Sequence, residues 1–258
     1  MPCAVLGTGL VGCYLGAAAH APAAVRGPSG RLAATRIRLP AGERVWQPFA
    51  IGASLPLLVA TRCDRTPWKE LPSDSLVVQN GLGQPRPVVV PFMALDVVDG
   101  VLTAIGPRPR LVCGPLAPSW LPVIAAWREA GLEIEQVPDA RPAQWEKAIY
   151  NATVGPLCRA TGRSMAAVWS DPELRALVLA ATAEGAVAAR NSGILIPPGI
   201  ADRAAAFFAA IGAHEPSCRR DPGELPWILG PLLAASPGPA PALERIAALA
   251  VAQVSRAT

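Results

Sequence analysis

The chain has 258 residues, of which 52% are hydrophobic and 16% charged, and its formal net charge is +4. This composition predicts one large or two ordinary globular domains and argues against intrinsic disorder. The small net charge argues against nucleic acid as a partner. The 23 glycines and 29 prolines follow no collagen repeat.

The first half of the chain alternates short apolar segments with turns, which is typical of an α/β domain. Residues 2–6 predict a strand, Gly7–Gly12 a turn and Cys13–His20 a helix. The pattern after His20 predicts a weak strand over 23–26, a helix over 121–131 and strands over 55–60, 76–79, 88–90, 101–105, 111–114 and 132–137.

From Ala143 onward the hydrophobic pattern is helical. It predicts helices over 143–162, 164–192, 199–212, 224–235 and 240–256. We therefore predict an α/β N-terminal domain over residues 1–140, followed by an all-α C-terminal domain over residues 141–258.

The turn after the first strand has the spacing G-x-G-x-x-G, with Gly7, Gly9 and Gly12 as its glycines. In dinucleotide-binding turns the first glycine permits the tight turn, and the second lets the pyrophosphate approach the backbone. The third lets the helix pack against the strand. Leu10 and Val11 belong to the same predicted cofactor-binding turn. A plain strand–turn–helix is the alternative interpretation, but the position between strand and helix favours a dinucleotide.

The residues after the second strand predict which dinucleotide binds. NAD sites usually place an acid there to bind the ribose 2′-hydroxyl, yet no acid occurs from Pro22 to Gly42. Arg26, with Arg31 as a second candidate, has the forked donors that suit a 2′-phosphate. The pattern favours NADP(H), while a purely solvated role for either arginine stays open.

A second candidate site lies on the helix over 143–162. Lys147 and Asn151 are four residues apart and share one helical face. An ammonium and an amide side by side suit a polarised carbonyl, because one can donate a proton while the other orients the oxygen. From spacing alone, a solvated lysine on an amphipathic helix is the simpler interpretation.

Four segments occur in one order along the chain. They are Gly7-x-Gly9-x-x-Gly12, Gln79-Asn80-Gly81-Leu82-Gly83, Trp145-x-Lys147-x-x-x-Asn151, and Ser217-x-x-x-Asp221 followed by Glu224 and Gly230. Together they resemble one known family, ketopantoate reductase (2-dehydropantoate 2-reductase). The likeness extends over nearly the whole chain, from Cys3 to about Leu249.

The resemblance implies a Rossmann-type domain over residues 1–140 that binds NADP(H). It also implies a helical domain over residues 141–258 that serves the substrate and dimerisation, with the substrate in the cleft between the two domains. Lys147 corresponds to the family's catalytic lysine, a general acid, and Asn151 to its partner amide. Asn80 corresponds to a residue near both the nicotinamide and the substrate.

The substrate-binding residues implied by the resemblance come from the second half of the chain. Glu224 corresponds to a glutamate that binds substrate hydroxyl groups and tunes the lysine, and Ser217 to a hydroxyl near the substrate carboxylate. Asp221 belongs to the same set. A glutamate near Lys147 would favour the charged lysine, whereas acids are also common at surface turns and helix N-termini.

The chain departs from the family pattern mainly on the substrate side. Gly155 stands where a second asparagine is usual, and Leu229 where an asparagine is usual. The segment Asp221–Pro226 is short and rich in proline. Arg62 stands where a lysine is common; it keeps the positive charge with a different geometry, and we include it among the predicted cofactor-binding residues.

We therefore predict NADPH-dependent reduction of a small 2-oxo acid, resembling ketopantoate reduction in pantothenate biosynthesis. A divergent reductase of another keto substrate is the first alternative. A nucleotide-binding protein without catalysis is the second.

The remaining features predict a cytoplasmic protein that binds a small molecule. Six cysteines without CxxC spacing and two histidines predict core thiols and no metal site. We expect neither a signal peptide nor a membrane span. The apolar helical faces allow a homodimer.

Overall fold

The computed structural model describes residues 3–25, 32–48, 55–220 and 222–254. The chain divides into two compact units. Unit 1 comprises Met1–Gln79 and Gly83–Ala140, and unit 2 comprises Asn80–Leu82 and Arg141–Thr258. The short segment Asn80–Leu82 therefore belongs with the second half of the chain, although its neighbours in sequence belong with the first.

Unit 1 contains strands and two α-helices. They are β1 (Ala4–Leu6), α1 (Leu10–Ala18), β2 (Ala23–Val25), β3 (Arg36–Leu39), β4 (Gly42–Val45), β5 (Leu57–Val59), β6 (Leu76–Val77), β7 (Val89–Val98), β8 (Val101–Cys113), α2 (Leu121–Glu129) and β9 (Glu133–Gln136). One sheet of this unit is parallel and has the strand order β2-β1-β5-β6. Helix α1 connects β1 to β2, so the chain begins with the strand–turn–helix–strand that the sequence predicts.

A second sheet has the strand order β4-β3-β8-β7, with β9 also paired to β8. The two strands predicted over 101–105 and 111–114 are one strand, β8, and the strand predicted over 88–90 continues to Val98 in β7. The two form a hairpin whose turn residues, Asp99 and Gly100, have φ angles of 51° and 75°. Asp-Gly favours such a turn. The sequence therefore contained a hairpin signal that our prediction did not use.

The core of unit 1 surrounds helix α1, whose Tyr14 and Leu15 are fully buried. Two tryptophans satisfy their indole N–H groups on the backbone around this helix. Trp127 donates to the carbonyl of Leu15 at 3.0 Å, and Trp46 donates to that of Ala21 at 2.8 Å. Buried aromatic donors need such partners, so these bonds fix the helix that follows the glycine turn.

The regular elements in the described part of unit 2 are all helices. The helix predicted over 164–192 is two helices, because Asp171 ends the first and caps the second, where Pro172 takes the first position. The helices are α3 (Arg141–Thr161), α4 (Met165–Ser170), α5 (Pro172–Asn191), α6 (Ile200–Ile211), α7 (Ser217–Arg220), α8 (Leu225–Ala235) and α9 (Pro241–Val254).

Helix α3 lies at the centre of unit 2, and glycines let its neighbours approach closely. A Cβ atom on Gly185 of α5 would lie 2.8 Å from Cγ1 of Ile149, and one on Gly155 would lie 2.8 Å from Sγ of Cys218 in α7. Such distances leave no room for a side chain at either position. These contacts fix the helix that presents Lys147.

The parallel sheet of unit 1, followed by an all-α unit 2, confirms the predicted fold class. No helix in the described part of the chain is both long and apolar enough to cross a membrane. Among the residues with described positions, no three His, Cys, Asp or Glu side chains form a group that could hold a metal ion.

Candidate active site

The glycine turn of unit 1 has the backbone geometry that its spacing predicts. Gly7 has φ +97°, and a Cβ atom there would lie 2.8 Å from the backbone of Ala60 and Thr61. At Gly12 a Cβ would lie 1.9 Å from the carbonyl oxygen of Gly7. Gly9 differs, because it is exposed and nothing lies within 4 Å of its Cβ position. Two glycines are therefore required by packing, while the third leaves an open approach to the backbone.

Gly9 is also the N-cap of helix α1, and no side chain caps this end. The first N–H groups of a helix have no partner within it and attract anions. Leu10 and Val11 contribute backbone at this end, while their half-buried side chains pack against the core of unit 1. The turn thus fits the pyrophosphate of a dinucleotide.

A polar cluster after strand β5 fixes the side chain of Gln79, immediately before Asn80. The Gln79 amide donates to Oγ1 of Thr66 at 2.6 Å and to Oγ1 of Thr61 at 3.1 Å. Cys63 Sγ lies 3.3 Å from the Gln79 oxygen. Our sequence prediction gave Gln79 no role, because its partners follow a different strand.

The predicted cofactor-binding arginines differ in what the structure describes. Arg62 makes a two-pronged ion pair with Asp64, with nitrogen–oxygen distances of 2.9 and 2.7 Å. This pair holds the guanidinium at the end of β5. Arg26 and Arg31 lie outside the described residues, as does Asp221 of the predicted substrate set.

Four predicted site residues of unit 2 form one hydrogen-bonded chain. Asn151 Nδ2 donates to Asn80 Oδ1 at 2.9 Å, and Asn80 Nδ2 lies 3.4 Å from Ser217 Oγ. Ser217 then donates to a carboxylate oxygen of Glu224 at 2.6 Å. Each residue donates to the next one in the chain, and the last acceptor is the carboxylate of Glu224. The structure therefore brings together residues separated by up to 144 positions in sequence (224 − 80).

Lys147 lies on α3 one turn before Asn151, so the two share a face of the helix. Its side chain is half-buried, and desolvation lowers the pKa of Lys147 from 10.5 to about 8. No charged residue raises the pKa of Lys147 against this effect, although we expected Glu224 to favour the charged form. The ammonium lies over the ring of Phe207, 5.4 Å from the ring centroid.

Three further residues support this aromatic ring, and sequence analysis missed them. Tyr150 stacks on Phe207 with centroids 5.3 Å apart, and its hydroxyl donates to Glu146 at 2.6 Å. Arg203 of α6 binds the same carboxylate through two nitrogens, at 2.9 and 2.7 Å. The spacing of Glu146 and Tyr150 was a usable signal, but nothing in the sequence pointed to Phe207 or Arg203.

Gly155 and Leu229, which stand where the family usually has asparagine, are both buried in unit 2. Gly155 is buried beside Cys218 and Pro216. Leu229 is also buried, at 5% exposure. Neither position supplies a polar group, so the described polar side chains of this site are those around Lys147 and the hydrogen-bonded chain.

These two units define a class of protein: an α/β fold of the Rossmann type, followed by a helical unit in which Lys147 and Asn151 share one helix face. Residues 139–250 match the family model "Ketopantoate reductase PanE/ApbA C terminal". Over these residues the match confirms the family resemblance that the sequence motifs predicted, while the segments Gly7–Gly12 and Gln79–Gly83 lie outside it.

Solved structures of similar fold cover both units. The chain is 20% identical to 2-dehydropantoate 2-reductase from Methylococcus capsulatus, with a TM-score of 0.77 over 100% of this chain and 98% of the other. It is 21% identical to a PanE/ApbA family ketopantoate reductase from Ralstonia eutropha JMP134, with a TM-score of 0.79 over 99% of each chain.

A third structure of the same fold carries a different enzyme name. D-mandelate dehydrogenase, solved with NADH and anilino(oxo)acetate, is 15% identical, with a TM-score of 0.77 over 98% of this chain and 99% of the other. At these identities the likeness shows the fold alone. Comparison with curated proteins gave no match.

Proposed function

We propose that the protein is a nicotinamide-dinucleotide-dependent oxidoreductase that reduces the carbonyl group of a small 2-oxo acid. The observation that carries this proposal is Lys147, whose pKa is lowered to about 8 by burial. It shares a helix face with Asn151, which the chain through Asn80 and Ser217 holds in place. An amine with a lowered pKa on the same helix face as a fixed amide suits proton donation to a carbonyl.

Unit 1 supports the cofactor half of the proposal. The open backbone at Gly9, between two glycines that packing requires, fits a dinucleotide pyrophosphate. When bound, a reduced nicotinamide supplies the hydride, so the protein has to supply or guide the proton. We propose NADPH as the cofactor because no acid occurs from Pro22 to Gly42. NADH is the alternative to test, since the mandelate dehydrogenase structure contains it.

The proton would come from the ammonium group of Lys147. As negative charge develops on the carbonyl oxygen, an amine with a pKa near 8 gives up its proton more readily than an ordinary lysine. The proposed role of Asn80 and Asn151 is to hold the oxygen in line with this amine. Ser217 and Glu224 would anchor the amides and contact the substrate. Asp221, Arg26, Arg31 and Arg62 keep their sequence-predicted binding roles as proposals.

The proposal assigns residues 1–140 to dinucleotide binding and residues 141–258 to the substrate. Asn80 is the exception to this division, since it comes from the first half of the sequence and joins unit 2. A homodimer and a cytoplasmic location stay predictions from the sequence.

A substrate other than ketopantoate is the second candidate, favoured by Gly155. Its Cβ position is filled by Cys218, so no amide at position 155 fits the described packing. The name of the mandelate dehydrogenase neighbour and its bound anilino(oxo)acetate suggest 2-oxo acids with an aromatic substituent as the second set to test.

The experiment measures oxidation of NADPH and of NADH with ketopantoate and with a panel of aliphatic and aromatic 2-oxo acids. We expect turnover with NADPH and at least one acid, and the acid with the highest kcat/KM identifies the substrate class. Binding of either dinucleotide without turnover on any acid would contradict the reductase and favour the non-catalytic alternative.

A further inference from the structure

The ammonium group of Lys147 rests on an aromatic face. Its nitrogen lies 5.4 Å from the centroid of the Phe207 ring, within the range in which a cation is attracted by a ring face. Lys147 comes from α3 and Phe207 from α6, and both side chains are half-buried. The contact therefore joins two helices at the one amine that the proposed reaction uses.

The Phe207 ring packs against two other aromatic rings. Tyr150 stacks on it at an angle of 28°, and Phe208 meets it edge-on at a centroid distance of 5.9 Å. The Tyr150 hydroxyl is fixed by Glu146, whose carboxylate is held by Arg203. Because Lys147, Glu146 and Tyr150 all belong to α3, the ring and the lysine are positioned by the same pair of helices.

Arg203 also fixes the start of α6. Its Nη1 donates to the carbonyl of Pro198 at 2.6 Å, and its Nη2 donates to that of Pro197 at 3.2 Å. Arg203 and Phe207 are four residues apart and share a face of α6. The ion pair with Glu146 thus sets the position of the helix that carries the ring.

We propose that Phe207 is a positioning residue that seats the ammonium group of Lys147 for proton donation. This inference rests on the proposed function. A carboxylate in the same place would also hold the ammonium, but it would raise the pKa of Lys147, so the lysine would give up its proton less readily. A ring face attracts the cation weakly and presents no anion, so the amine stays oriented while its proton remains easy to give up.

The charged and titratable groups around Lys147 are consistent with this assignment. On α3, Glu146 and Tyr150 are occupied with Arg203 of α6. Glu224, which precedes α8, accepts from Ser217 of α7. Burial is the one cause of the lowered pKa of Lys147, and no described carboxylate raises it. The ring face is therefore the feature that distinguishes this amine from a lysine in a salt bridge.

The test uses the fact that the chain has two lysines, Lys69 and Lys147. Lys69 is exposed in unit 1, so Lys69→Arg leaves a protein with one lysine. In that background, ¹³C-labelled lysine gives a single side-chain NMR signal that reports both the pKa of Lys147 and its ring-current shift. No substrate, cofactor or turnover is needed.

Three variants of this single-lysine protein separate a ring face from mere packing. Phe207→Leu keeps an apolar side chain but removes the ring, and we expect the upfield ring-current shift of the Lys147 side-chain signal to vanish. We also expect the pKa of Lys147 to fall by roughly half a unit. Phe207→Tyr keeps the ring and should restore both values. Phe208→Leu removes a ring that packs against Phe207, and it should change both values less than Phe207→Leu does.

The outcomes also separate this inference from the proposed function. If the pKa and the ring-current shift of Lys147 are unchanged in Phe207→Leu, Phe207 does not position the ammonium group. Equal changes in Phe207→Leu and Phe208→Leu would also overturn this role. If the expected NMR changes occur in a protein that reduces no 2-oxo acid, Phe207 positions the ammonium group of Lys147 but the proposed reduction is wrong. If reduction occurs, kcat should fall more than KM rises in Phe207→Leu, and Phe207→Tyr should recover it.

Discussion

The two units build their candidate sites from different parts of the chain. In unit 1 the site is backbone: Gly7 and Gly12 are required by contacts of 2.8 and 1.9 Å, and Gly9 leaves the turn open. In unit 2 the site is side chains: Lys147 rests on an aromatic ring, and an amide–hydroxyl chain ends on Glu224. The turn in unit 1 works because its glycines have no side chains. The site in unit 2 works because its side chains contact partners that are distant in sequence.

This difference determines how each site responds to substitution. A Gly→Ala substitution in the turn of unit 1 adds a methyl group, so its effect on stability depends on how close the surrounding backbone atoms are. Removing a functional group in unit 2 tests chemistry, so its effect follows from what the group contacts.

Lys147→Met should lower kcat by about 10²–10⁴-fold, because it removes the proposed proton donor while keeping the length of the side chain. The affinity for the dinucleotide, measured by fluorescence titration, should stay the same, since the glycine turn is in the other unit. Lys69→Met is the matched control and should retain turnover, because Lys69 is exposed in unit 1. Equal turnover in the two variants would remove Lys147 from the mechanism.

Gly12→Ala should destabilise the protein by about 3 kcal/mol or more, because its Cβ would lie 1.9 Å from the Gly7 carbonyl oxygen. Gly9→Ala meets nothing within 4 Å, so its free energy of unfolding should change by less than about 0.5 kcal/mol. Its dinucleotide affinity should nevertheless fall, because the methyl group occupies the open approach. Urea denaturation and dinucleotide titration check the pair. A Gly9→Ala protein that binds NADPH normally would mean that the pyrophosphate lies elsewhere.

Arg203→Ala should cost about 2 kcal/mol of unfolding free energy, because it leaves the Glu146 carboxylate, 9% exposed, without its ion-pair partner. The control in unit 1 is Arg36→Ala, which breaks a pair whose side chains are 56% and 34% exposed and should cost less than about 1 kcal/mol. Equal costs in denaturant melts would show that the Glu146–Arg203 pair does not support unit 2.

The burial of Lys147 also predicts a dependence of stability on pH. The folded state binds the Lys147 proton with a pKa of about 8 and the unfolded state with one near 10.5, so unfolding takes up a proton between these values. From pH 8 to 10.5 the protein should therefore gain stability relative to Lys147→Met. Buried thiols such as Cys3 and Cys218, whose pKa burial raises to about 12, act in the opposite direction in both proteins. The difference between the two stability curves isolates the lysine, and a flat difference would mean that Lys147 is not buried in solution.

The sequence predicted the fold class and the glycine turn because each depends on local pattern. Helix α1 follows Gly7–Gly12 directly, and the helical period after Ala143 is continuous enough to define an all-α unit. Boundaries were less predictable. The long predicted helix breaks at Asp171, where a capping carboxylate and Pro172 outweigh an otherwise helical pattern.

The candidate site of unit 2 was predictable only as far as helix spacing and family motifs reach. Lys147 and Asn151 were found by their spacing, and Asn80, Ser217 and Glu224 by resemblance. The bonds that join them depend on how α3 and α7 pack, which no local pattern encodes. Phe207 lies 60 residues after Lys147 (207 − 147) in an alanine-rich helix, so only the structure shows that it faces the amine.

The most direct test of the central claim is transfer of deuterium from NADPH labelled at C4 of the nicotinamide, followed by mass spectrometry of the products from a 2-oxo acid panel. We predict that one or more products carry the label at the former carbonyl carbon in the wild-type protein. A protein that binds the labelled dinucleotide but labels none of the acids would contradict the account.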